Sequence, residues 1–105
     1  MDPIFRIDCF AVPDTARDEF LAAVAATHRI LREQPGFLRD QIVEQTGGPG
    51  RMNLITLVEW ASQDAIAGAT SAVAAHHAAT GFDPGRFLAR HGIAAERGLY
   101  RDAIL

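Results

Sequence analysis

The stretch Arg51 to Trp60, RMNLITLVEW, constrains this chain more than any other. Read as a strand, it places Met52, Leu54, Thr56, Val58 and Trp60 on one face and Arg51, Asn53, Ile55, Leu57 and Glu59 on the other. Both faces carry large apolar side chains, so the strand has to be covered twice. A chain of 105 residues supplies one such cover with its own helices. The second cover points to a partner subunit.

The remaining segments fit around that strand. Ile4 to Val12 is a strand stopped by Pro13-Asp14, with Phe5, Ile7, Cys9 and Ala11 on one face and Ile4, Arg6, Asp8, Phe10 and Val12 on the other. Asp14 or Thr15 then caps a helix to about Arg32, in which Phe20, Leu21, Val24, His28 and Leu31 recur at helical spacing. Gln34-Pro35-Gly36 ends it, and Phe37 to Gln45 forms a second strand. Strict alternation groups Leu38, Asp40 and Ile42 against Phe37, Arg39, Gln41 and Val43. The turn Thr46 to Gly50 returns the chain as a hairpin into Arg51 to Trp60.

Ser62 is placed to cap a third segment, an alanine-rich helix whose inner stripe is Ala65, Ile66, Ala69, Val73 and one of His76 or His77. Gly81 breaks it, Asp83-Pro84 starts a short helix through His91, and Ile93 to Ala103 is the last strand. The order is β-α-β-β-α-β with a short extra helix. That is an α+β, ferredoxin-like fold: one four-stranded antiparallel sheet with helices on one face, and one domain over residues 1–105. Its open face, with Ile7, Cys9, Ile55 and Leu57, is too apolar to stay wet.

Composition narrows the function. The net charge of −3 leaves no broad basic surface for nucleic acid or anionic membrane, and no segment nears the length of a membrane span. The single cysteine, Cys9, precludes an intrachain disulfide or thiolate cluster, and without an export signal the cytoplasm is the expected compartment. The chain contains no lysine, which removes Schiff-base and Walker-type chemistry. His76 and His77 are adjacent, so they point about 100° apart on a helix and do not share a metal ion easily. No metal is expected.

Gln34-Pro35-Gly36-Phe37 before the second strand, Glu59-Trp60 closing the third, the alanine-rich helix after Ser62 and the Phe82-Asp83-Pro84 segment together resemble the antibiotic biosynthesis monooxygenase (ABM) family. The resemblance implies a homodimeric α+β barrel, with sheets packed through their open faces and a cavity in each subunit between sheet and helices. It also implies oxidation of polycyclic aromatic compounds, anthrones to quinones, with O₂ and no cofactor, the substrate anion itself reducing O₂. In the family a tryptophan at the end of the third strand and asparagines on the first and third strands carry that role. Trp60 matches; Asp8 and Thr56 stand at the asparagine positions. In haem-degrading relatives a histidine sits on the second helix at a position like Thr70.

On this reading Trp60 stacks on the substrate, Asp8 takes a proton or orients a hydroxyl, and Thr56 hydrogen-bonds a substrate oxygen. Phe10, Ile42, Ile66 and His76 line the cavity. Each residue also has a plainer role: Trp60 as core, Thr56 as packing, and Asp8 as the partner of Arg6 or Arg101. The expected function is a cofactor-independent monooxygenase acting on a phenol, quinol or anthrone. The alternative is a non-catalytic dimeric ligand-binding or stress-response protein of the same fold.

Overall fold

The central strand is buried on its helix-facing side, where Leu54, Thr56, Val58 and Trp60 are all buried, and half-buried on the other, as its two-sided apolar pattern demands. In the computed structural model, which describes residues 2–105, the elements run β1 (Ile4–Ala11), a 3₁₀ turn (Asp14–Ala16), α1 (Arg17–Leu31), β2 (Phe37–Glu44), β3 (Leu54–Trp60), α2 (Gln63–Thr80), α3 (Pro84–His91) and β4 (Ala94–Tyr100). The strands form one antiparallel sheet in the order β2-β3-β1-β4. The α+β, ferredoxin-like architecture expected from the element order is the one present.

Several boundaries differ from the sequence expectation. β3 begins at Leu54 rather than Arg51; Asn53 stands at its edge, its N–H donating to the Phe10 carbonyl at 2.8 Å and its carbonyl accepting from the Gln45 N–H at 2.9 Å. The Asn53 side chain clamps Val12, accepting from the Val12 N–H and donating to the Val12 carbonyl, both at 2.8 Å. Neither Asp14 nor Thr15 caps α1; a 3₁₀ turn led by Pro13 intervenes, with no side-chain cap bond. β4 stops at Tyr100, and Ile93 is buried in the core ahead of it rather than paired in the strand.

β2 carries the most consequential difference. A bulge between Phe37 and Arg39 lets Phe37 pair with Trp60 while Arg39 pairs with Glu59. Phe37 therefore joins the face of Asp40 and Ile42 instead of that of Arg39. Arg39 and Glu59 form an ion pair at 2.7 Å on the opposite side.

The helices start and stop where their chemistry directs. The Ser62 hydroxyl accepts from the Ala65 N–H at 3.4 Å at the start of α2, and Gly81 ends it in the left-handed conformation at φ 74°. Gly36 also has a positive φ, 85°, and a Cβ there would lie 2.5 Å from the Ala65 Cβ. Only glycine lets the α1–β2 turn approach α2 so closely.

The core divides into two clusters. Val12, Ala16, Phe20, Leu54, Phe87 and Ile93 fill one end; Val58, Trp60, Ile66 and Ala69 fill the other. The polar middle of the helix-facing side lies between them. Among the described residues, no helix is long and apolar enough to cross a membrane.

Candidate active site

A cavity of about 580 Å³ opens between the sheet and its helices, within the range of small-molecule sites. Its floor follows from strand alternation: Arg6, Asp8 and Phe10 from β1, and Thr56, Val58 and Trp60 from β3. Its walls follow from helical spacing. On α1 the lining residues are Phe20, Ala23, Val24, Thr27, His28 and Leu31; on α2 they are Ile66, Ala69, Thr70, Val73, Ala74 and His77. Both series step by three and four residues, the signature of one helix face. Phe82, Pro84, Phe87 and Leu88 close one end.

The expected residues divide as follows. Trp60, Asp8, Thr56, Phe10 and Ile66 come together around this cavity. His76 does not. It is exposed and borders an adjoining groove with Thr80 and Gly81, whereas His77 lines both that groove and the main cavity. The spacing explains this: His77 lies eleven residues after Ile66, about three full helical turns, and His76 falls short of that by about 100°. Ile42 shares a cross-strand row with Thr56 and Asp8, but β2 is the sheet edge, so it is 37% exposed and lies outside the cavity lining.

Asp8 is engaged. Arg6 Nε donates to one carboxylate oxygen at 3.1 Å and Nη2 to the other at 3.4 Å, so both oxygens already accept from one guanidinium. Thr56 is different. It is buried, faces the cavity, and its hydroxyl makes no side-chain hydrogen bond among the described residues. Among the described residues the Trp60 indole N–H likewise has no hydrogen-bond partner, yet no buried side-chain N or O atom of theirs lacks one. Both groups therefore open onto the cavity they line.

One arrangement escaped the sequence reading. His28, on the α1 stripe, places Nδ1 2.9 Å from Asp40 Oδ2, and Arg32 Nε donates to the same oxygen at 2.9 Å. Burial pushes the Asp40 carboxyl up, but the hydrogen bonds from His28 and Arg32 outweigh it and hold the pKa below the ordinary aspartate value. The signal was present as a lone histidine on an apolar helical stripe and a lone aspartate on a strand face. Nothing local linked them. Among the described residues, no group of three or more His, Cys, Asp or Glu side chains is arranged to hold a metal ion.

The family model for antibiotic biosynthesis monooxygenases matches residues 3–81, which include β1, α1, β2, β3 and α2 up to Thr80. The chain belongs to this family. Solved structures agree on the fold of the ABM domain. A candidate monooxygenase from Shewanella loihica PV-4 superposes with a TM-score of 0.75 at 21% identity, covering 99% of this chain and 97% of that one. SnoaB, a cofactor-independent oxygenase from Streptomyces nogalater, gives a TM-score of 0.68 at 22% identity, covering 100% and 97%. A haem-degrading protein from Mycobacterium tuberculosis gives 0.57 at 24% identity, covering 65% and 77%. No curated protein matches the sequence. In this ABM chain Thr70 sits on the cavity wall of α2.

Proposed function

We propose that the protein is a monooxygenase that oxidises a phenol, quinol or anthrone, small or polycyclic, with O₂ and without a cofactor. The observation that carries the reading is the Trp60 indole N–H and the Thr56 hydroxyl, both from β3, opening without hydrogen-bond partners among the described residues into an otherwise largely apolar cavity of about 580 Å³. An apolar site with a few convergent polar groups suits a planar aromatic compound bearing oxygen substituents. Thr56 and Trp60 hydrogen-bond the substrate oxygen that gains negative charge, which lowers the energy of the anion that reduces O₂. Asp8, fixed by Arg6, orients a second hydroxyl. Phe10 and Ile66 hold the ring system from two sides, and His77 borders it on α2.

The active unit of this reading is a homodimer joined through the open sheet face, where Ile7, Cys9, Ile55 and Leu57 lie together. Such a face on an isolated subunit leaves contiguous apolar surface in water. A second reading, a ligand-binding protein without turnover, draws support from Asp8, whose oxygens are already occupied by Arg6. The discriminating experiment is oxygen uptake with a panel of anthrones and quinols, read beside equilibrium binding of the same compounds. Uptake with quinone formation supports the oxygenase; tight binding with no uptake across the panel supports the binder.

A further inference from the structure

His28 is a buried histidine whose two ring nitrogens face different surroundings. Nδ1 is committed to Asp40, 2.9 Å away, and Asp40 is held in turn by Arg32. Among the described residues Nε2 has no hydrogen-bond partner, while none of their buried side-chain nitrogens is left unpaired. Since His28 lines the cavity, Nε2 is the nitrogen that meets its contents. A carboxylate accepting from Nδ1–H fixes the tautomer in which Nε2 is a bare acceptor, and it stabilises the imidazolium formed once Nε2 takes a proton. A histidine needed only to tie α1 to β2 has no use for a second nitrogen aimed into a cavity.

We propose that His28 is the proton acceptor for the substrate and that Asp40 is its positioning residue. The proposal rests on the oxygenase reading and assigns its first step. For an anthrone in its enol form, the O–H bond breaks, the electron pair stays on the substrate oxygen, and an N–H bond forms at Nε2. The resulting anion reduces O₂. The ring CH₂ carbon becomes a carbonyl, one oxygen atom stays in the product, and the other leaves as water with the two hydrogens. The proton held by His28 returns in that water, so the enzyme ends as it began. Asp8 is poorly placed for this task because both its oxygens accept from Arg6.

The charged and titratable groups bordering the cavity with His28 are Arg6 and Asp8 on β1, His77 on α2 and Glu96 and Arg97 on β4, with Asp40 on β2 and Arg32 on α1 behind the ring. Of these, Asp40 is the one in contact with the imidazole.

The test uses two readouts. His28→Asn keeps a donor where Nδ1 stands and removes the Nε2 acceptor. It is expected to melt near wild type while anthrone-dependent oxygen uptake falls on the order of 100-fold or more, with loss of the acid limb of the pH profile. Asp40→Asn keeps an acceptor for Nδ1–H without the charge that favours the imidazolium, and is expected to move that limb to lower pH. The second readout needs no turnover. A hydroxyanthraquinone whose colour reports ionisation is expected to bind wild type as the phenolate at a pH where it is neutral in water, and His28→Asn is expected to bind it neutral. If wild type ionises the dye but oxidises no anthrone or quinol, the oxygenase reading fails and the base assignment stands. The assignment is overturned if the dye does not bind, if it ionises equally in both proteins, or if His28→Asn turns over within about twofold of wild type, since losing a general base costs far more.

Discussion

Phe37 stands edge-on to Trp60, with ring centroids 5.8 Å apart and planes at 85°. The bulge in β2 creates this contact by carrying Phe37 onto the helix-facing side. Edge-to-face geometry fixes the indole plane, so the N–H points in one direction within the cavity. Trp60→Phe keeps an aromatic ring but removes the N–H and part of a 2% exposed side chain. The expected cost is roughly 1–2 kcal/mol in urea unfolding. Affinity for a hydroxyanthraquinone, followed by its absorbance, is expected to fall at least tenfold while the fold persists. Unchanged affinity would make Trp60 a core residue only.

Gly36 positions the same corner of the site. Its φ of 85° and the 2.5 Å approach of its absent Cβ to Ala65 leave no room for a side chain. Gly36→Ala is expected to lose about 2 kcal/mol or more, from left-handed backbone strain plus displacement of α2. The urea midpoint measures it; a variant as stable as wild type would show that α2 yields freely.

Asp40 predicts an acid sensitivity with a defined sign. Its pKa in the folded chain is held below the ordinary value despite burial, by His28 and Arg32. Its contribution to stability is therefore full above the ordinary aspartate range and is lost as pH falls through the depressed native value. Urea midpoints of wild type should drop between about pH 5 and pH 3, and the Asp40→Asn profile should be flatter there. Parallel profiles would remove Asp40 from the acid response.

Asp8→Asn separates orientation from proton transfer. An amide can still meet Arg6 and a substrate hydroxyl, although it accepts at one atom rather than two. The expected result is KM raised several-fold with kcat within about threefold of wild type, the pattern of lost binding rather than lost chemistry. A hundredfold fall in kcat would instead give Asp8 the proton.

Ile55 lies on the open face, opposite Cys9 on β1 and Val43 on β2. If that face joins two subunits, Ile55→Asp buries an unpaired charge twice by symmetry, and should cost several kcal/mol of association. Sedimentation is expected to give a dimer for wild type and monomer or aggregate for the variant. A wild-type monomer at micromolar concentration would refute the interface.

The sequence by itself determined the element order, the two-faced central strand, the Ser62 cap and the face shared by Asp8, Phe10, Thr56 and Trp60. These depend on backbone alternation and on contacts within a few residues, which a linear pattern records. Even His77 was legible, three helical turns from Ile66. Tertiary structure alone decided the rest. A bulge shifted Phe37 to the other face, the Asn53 side chain clamped Val12 across 41 residues of chain, and the place of β2 at the sheet edge left Ile42 outside the cavity. The meeting of His28 with Asp40 joins a helix to a strand twelve residues on. Which residues face one another across elements is set by register and packing, and neither is encoded in the period of any single segment.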